Sequence, residues 1–186
     1  MKKQPYKTAQ TKAALTSAFW ELYKDKPIAK ITVKNITDLA GFYRSTFYLY
    51  FTDIYAILEE IEEDILYHWE TMVIKVFEQG KKEEMMFEMV TEFYERYGEF
   101  ITVLLSPQGD PLFQQKIKDT LRPKMLSHLQ TPNNDVKVSL IFEFIVSAML
   151  AFLTEWYRTG RQISANEAIQ LLRSLAPENA VLLISH

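Results

Sequence analysis

Apolar residues recur at intervals of three and four along nearly the whole chain, and no stretch alternates long enough to make a strand. This periodicity predicts an all-α protein. Between 8 and 24, Ala14, Leu15, Ala18, Phe19 and Leu22 share one helical face, and Pro27 stops the helix from continuing. A short helix is expected at 33–40, with Thr32 as its N-cap and Gly41 supplying the left-handed turn behind it. Ile36, Leu39 and Ala40 make up its inward face. A still shorter helix follows at about 43–50. Thr52 and Asp53 then cap a long helix on which Ile57, Ile61, Ile65, Trp69, Val73 and Val76 repeat every three or four positions, until QGKK at 79–82 ends it. At 1.5 Å per residue this helix spans roughly 36 Å, long enough to link two bodies.

Past Gly80 the same spacing gives a helix at 83–105 with Met86, Val90, Phe93, Tyr97, Ile101 and Leu104 on one stripe, and SPQGDP at 106–111 makes a turn. Two shorter segments are expected next. One carries Phe113, Ile117 and Leu121; the other, after Pro123, carries Met125, Leu126 and Leu129. TPNND at 131–135 opens the most apolar helix, at about 135–159, which Gly160 closes. Ser164 with Glu167 forms a capping box for a last helix at 165–175, and Pro177 stops it. The chain therefore divides into a head at 1–52, a helical body at 53–176 and a tail at 177–186.

Composition narrows the class. Cysteine is absent, so disulfides and cysteine-ligated metals are excluded and a reducing cytoplasm is the natural compartment. The N-terminus lacks the apolar stretch of a signal peptide. The apolar stretch IFEFIVSAMLAFL at 141–153 is interrupted by Glu143 and Ser147 and falls short of the roughly 20 residues that cross a bilayer. It reads as a buried helix, and no membrane partner is expected. No enzyme is expected either, because there is no Gly-rich phosphate loop and the three histidines are far apart. Asp64 and His68 stand four apart, but such a pair is more simply a surface ion pair than a metal site. Glu59, Glu60, Glu62, Glu63 and Asp64 read as a solvated face. Neither metal nor cofactor is called for.

Charge is unevenly spread. Residues 1–50 hold nine Lys and Arg against three acids, a balance of +6, which leaves −9 for the rest of a chain whose net charge is −3. A basic head on an acidic body suits a polyanion that meets only the head, because attraction to phosphate is screened within about 10 Å. The stretch GFYRSTFYLYF at 41–51 refines this. Two short helices joined around a glycine, with a third packed across them, make a helix-turn-helix. Arg44, Ser45, Thr46 and Tyr48 fall on the face that enters a major groove, and Phe47 and Phe51 fill the inward face.

The segment ITVKNITDLAGFYRSTFYLYFTDIYAIL at 31–58 resembles the DNA-binding segment of the TetR family of bacterial transcriptional repressors. Thr32, Ile36, Ala40, Gly41, Thr46, Phe47, Tyr48, Tyr50, Phe51 and Leu58 stand in register with the family pattern, and TKAAL…AFWEL upstream matches its first helix. The resemblance covers about 8–58; the remainder is similar only in helix count and order. Three departures stand out: Ile54 where members usually have a phosphate-binding lysine, Ser45 for a common glycine, and Tyr43 where a small N-cap residue is usual. The family implies a helix-turn-helix head joined by the long helix to an effector-binding and dimerisation body. It also implies that Arg44 reads base edges, that Lys34 reaches the groove, and that Thr32, Thr46, Tyr48 and Tyr50 serve the backbone or the groove wall.

Dimerisation has its own signal. Ile141, Phe142, Phe144, Ile145, Val146, Met149, Phe152 and Leu153 surround more of helix 135–159 than one core can bury. With the amphipathic helix after it, this suits a four-helix dimer interface, in which Ile145, Met149, Phe152 and Leu172 are the candidate contacts. The reading helices of a homodimer would sit about 34–36 Å apart on a near-palindrome of double-stranded DNA. Phe93, Tyr94, Tyr97, Phe142, Trp156 and Tyr157 could line an effector pocket with walls of Met85, Met86 and Met89, though ordinary core is the simpler reading of each. The expected function is a DNA-binding repressor released by a small-molecule effector. The alternative is a helical dimer that has lost DNA and serves as a protein-binding adaptor or small-molecule carrier. Ile54 favours the alternative; Arg44, Thr46 and Tyr48 argue against it.

Overall fold

A computed structural model of the chain describes residues 5–78, 83–128 and 136–175, and every regular element among them is helical. They form two compact units that divide between Asp64 and Ile65.

In the first unit, α1 (Pro5–Asp25) packs on α2 (Val33–Ala40), which is followed by α3 (Arg44–Phe47). The buried face of α1 carries Leu15, Ala18, Phe19, Trp20 and Tyr23. The predicted face is rotated towards the aromatics: Leu22 is only half-buried, while Tyr23 stacks on Phe19 one turn away with centroids 5.4 Å apart. Between α1 and α2 a single 3-10 turn, Ile28–Lys30, closes on the Pro27 and Ile28 carbonyls and buries Ile31. Helix α4 (Ile54–Glu78) starts where Asp53 Oδ1 accepts the Ala56 N–H at 3.0 Å. It buries Ile57, Leu58, Ile61, Ile65, Trp69 and Met72, while Val73 is half-buried. The Val76 side chain lies outside the described residues.

In the second unit, α5 (Glu83–Leu104) packs on α7 (Val136–Arg158), which also meets α6 (Phe113–His128) and α8 (Ala165–Leu175). The α5 stripe appears as Phe93, Tyr94, Tyr97, Ile101 and Leu104, all buried. The side chains of Met85, Met86 and Val90 lie outside the described residues, as does Leu129. Where two segments were expected around Pro123, the structure has one helix, α6, running through it. Proline in a helix interior costs about 3 kcal/mol, so tertiary ties must offset it. Phe113, Ile117, Leu121 and Leu126 are buried along the whole of α6. Glu143 on α7 accepts from both Lys118 and Arg122 at 2.7 Å, and the Arg122 guanidinium lies 4.7 Å above the Phe142 ring.

Helix α7, read from the sequence as a buried helix with more apolar circumference than one core can cover, is buried along part of its surface. Only one line is buried, Phe142, Val146, Leu150 and Leu153, while Phe144 is 62% exposed. By length and composition alone, α7 is long and apolar enough to cross a membrane. It ends in a left-handed turn at Gly160 (φ 78°), where the Gly160 N–H reaches the Tyr157 carbonyl and the Arg161 N–H the Trp156 carbonyl, both at 3.0 Å. Ser164 and Glu167 then exchange hydrogen bonds as a capping box for α8, which holds the Glu167 carboxyl below its usual range. The tail from 177 lies outside the described residues.

Candidate nucleic-acid interface

The site begins with the cap of α2. Thr32 Oγ1 accepts the Asn35 N–H at 3.1 Å, and Asn35 Oδ1 accepts the Thr32 N–H at 3.0 Å. Asn35 is a partner that sequence reasoning missed; asparagine three residues after a threonine was the available signal. Helix α2 is seated by Ile36 and Thr37, both buried. Leu39, expected inside, is 55% exposed. Thr37 holds the interior position instead, because its hydroxyl donates back to the Val33 and Lys34 carbonyls and so can be buried at little cost. Gly41 at φ 74° lets the chain reverse, and its N–H and that of Phe42 both reach the Thr37 carbonyl.

The reversal delivers α3, a single turn shorter than the expected 43–50. From Phe47 onward the backbone tightens, with Leu49 N–H on the Thr46 carbonyl and Tyr50 N–H on the Phe47 carbonyl. Phe47 and Phe51 are buried with ring centroids 5.6 Å apart. Lys12 from α1 sits 5.6 Å above Phe51 and pairs with Glu60 at 2.5 Å, tying three elements of the unit together. Those two rings fix which way the rest of α3 faces.

Arg44, Ser45 and Tyr48 are exposed, and Thr46 and Tyr50 are half-buried. Lys34 is exposed on α2, as is Thr32, whose hydroxyl is occupied by the cap. No intramolecular ion pair of Arg44 or Lys34 occurs among the described residues. Ile54, the first residue of α4, is half-buried and supplies no cation.

A TetR-type family model described as "Transcriptional regulator C-terminal region" matches residues 81–178. The chain belongs to the TetR family of transcriptional regulators. The family is non-enzymatic, and its all-helical fold is the one described above. This TetR-family chain is similar in structure to the TetR transcriptional regulator from Streptococcus agalactiae 2603V, with a TM-score of 0.66 at 24% identity over 92% of this chain and 96% of that one. It is also similar to a tetR-family transcriptional regulator from Streptomyces coelicolor, with a TM-score of 0.58 at 16% identity over 93% and 88% of the two chains. No curated protein matches it.

In the TetR-family body, the structure brings some of the suggested pocket residues together. Phe93 lies 5.1 Å from Tyr97 and 4.8 Å from Trp69, and His68 lies 5.3 Å from Tyr97. Trp69 and His68 were missed because the sequence reads them as part of the α4 stripe and its polar flank. Phe142 is buried on α7, and Trp156 is half-buried with Nε1 donating to the Ile163 carbonyl at 3.0 Å. Neither makes a ring contact with that cluster among the described residues. Tyr157 lies flat against Gly98, where a Cβ would come within 2.5 Å of the ring. Trp69 Nε1 and the hydroxyls of Tyr94 and Thr154 are buried without a well-formed hydrogen bond. Burial pushes the Tyr94 phenol above its usual range, and the neighbouring Thr154 hydroxyl offsets part of that rise. Of the suggested dimer contacts, Ile145, Met149, Phe152 and Leu172 are half-buried and lie off the buried line of α7 or on α8.

Proposed function

We propose that this TetR-family regulator represses transcription by binding a near-palindromic operator as a homodimer, with residues 1–52 reading DNA and 53–176 pairing the copies and taking a small-molecule effector. The observation that carries the reading is Arg44: exposed, without an intramolecular counter-ion among the described residues, on a turn anchored by Phe47 and Phe51. Its guanidinium can grip guanine O6 and N7 bidentately, while Lys34, Ser45, Thr46, Tyr48 and Tyr50 take the phosphates and the groove wall. Thr32 contributes by capping α2. A chain that works on DNA and lacks cysteine suits the cytoplasm.

Arg44→Ala should weaken binding to a duplex enriched from a random library by roughly 5- to 150-fold, the equivalent of 1–3 kcal/mol of base discrimination, and affect unrelated duplex far less. Fluorescence anisotropy on both duplexes measures this, and equal losses on the two overturn it. An effector acts by binding the DNA-competent and DNA-incompetent states of the dimer unequally. The buried, underused hydrogen-bonding groups of Trp69, Tyr94 and Thr154 support a site for it in the body.

Ile54 is the one observation that favours the adaptor or carrier reading, since it removes a phosphate contact. A salt titration separates the two: a regulator loses affinity steeply as salt rises, and an adaptor forms no complex with DNA at all.

A further inference from the structure

Three helix starts among the described residues are capped by side chains. Thr32, Asp53 and Ser164 each accept a backbone N–H of the helix that follows. At the start of α3 the N-cap is Tyr43, in the extended conformation suited to a cap (φ −82°, ψ 152°), and its phenol makes no cap bond. Its carbonyl accepts the Thr46 N–H at 2.9 Å, so the backbone is in place and only the side chain is wrong for the task. That ring is 84% exposed, more than any other large apolar side chain among the described residues. A tyrosine that makes no cap and leaves most of its ring in solvent is free to contact another molecule.

Its place says which. Tyr43 directly precedes Arg44, the unpaired cation already assigned to the groove. We propose that Tyr43 is a DNA-backbone contact specific to this chain: its ring lies over a deoxyribose at the groove edge, and its hydroxyl donates to the adjoining phosphate. The inference rests on the DNA-binding reading above.

The test uses the full chain, the duplex that wild type enriches from a random library, and an unrelated duplex of equal length. Tyr43→Ser supplies the missing cap, so its melting temperature should equal or exceed that of wild type. Its affinity should nonetheless fall about tenfold on both duplexes, since a backbone contact carries no sequence information. The slope of log K against log salt should stay unchanged, because a neutral phenol releases no counter-ion. Tyr43→Phe keeps the ring and should lose a few-fold, which carries the test should the serine variant melt early. Wild-type affinity in Tyr43→Ser, or a loss confined to the enriched duplex, overturns the proposal. Should wild type enrich no sequence, the DNA-binding reading itself fails, an outcome distinct from a wild type that binds alongside variants that bind equally well.

Discussion

At the scale of single residues, Tyr94 shows how a buried hydroxyl can work against its own fold. Its ring is almost wholly buried, yet the hydroxyl lacks a well-formed hydrogen bond, so the folded chain bears the cost of desolvating it. Tyr94→Phe removes that cost and keeps the ring. Stability should be unchanged or rise by about 1 kcal/mol, whereas truncation to alanine should cost about 3–5 kcal/mol. Urea unfolding of the two variants measures both, and a loss above about 1 kcal/mol in Tyr94→Phe would mean that the hydroxyl has a strong partner. If an effector uses the hydroxyl, Tyr94→Phe should also lose the effector response while binding DNA normally. The exposure of Arg44 and the burial of Phe47 and Phe51 were legible through the family resemblance and not through spacing, since positions three and four apart share one face of a regular helix. Thr37 and Leu39 were not. Ranking by hydropathy puts leucine inside, whereas a threonine that satisfies its own hydroxyl against the helix backbone can take that place.

At the scale of elements, what could be read was punctuation: Thr32, Gly41, Asp53, Gly160 and the Ser164–Glu167 pair all mark real helix ends. Gly41 has no neighbour within 4 Å of where a Cβ would stand, so Gly41→Ala isolates the cost of a left-handed backbone. About 1–2 kcal/mol of lost stability is expected, measured by urea unfolding. The continuity of α6 was illegible because it depends on a different helix. Glu143 ties α7 to Lys118 and to Arg122, the residue directly before Pro123, and no local rule reports a pairing of residues more than twenty positions apart. The same tie carries a pH dependence. Hydrogen bonds from Lys118, with Arg122 adding to them, hold the Glu143 carboxyl below its ordinary 4.5 against the opposing effect of burial. A depressed carboxylate contributes stability above its unfolded value and loses it as pH falls through the folded one. Glu143→Gln should therefore be less stable than wild type at pH 6–7, with the gap closing below about pH 4.5 as the wild-type carboxylate takes up its proton. Melting temperatures across pH 3–7 measure it; a gap that stays constant with pH would assign the effect to packing.

At the scale of the whole molecule, the exposed apolar surface of α7 has to be explained. Its buried line is Phe142, Val146, Leu150 and Leu153; Ile145, Met149 and Phe152 form a second line four and three residues apart, only half-buried, beside the exposed Phe144. The sequence shows that such a helix has more apolar circumference than one core uses, but periodicity does not distinguish a second copy from lipid as what covers it. A self-paired face is symmetric, so each substitution acts twice across it. Met149→Glu would bring two carboxylates into a dry interface, where leaving a charge unpaired costs about 3–5 kcal/mol. Dimer dissociation should then strengthen by at least a hundredfold. Sedimentation velocity at 10 μM, a concentration chosen as roughly that of a functional dimer, should show wild type as a dimer without detergent and Met149→Glu as a helical monomer. Its operator affinity should collapse with it, because one head covers a single half-site. A monomeric wild type would remove the need for a palindrome, and a wild type that stays dispersed only with detergent would assign the α7 face to lipid.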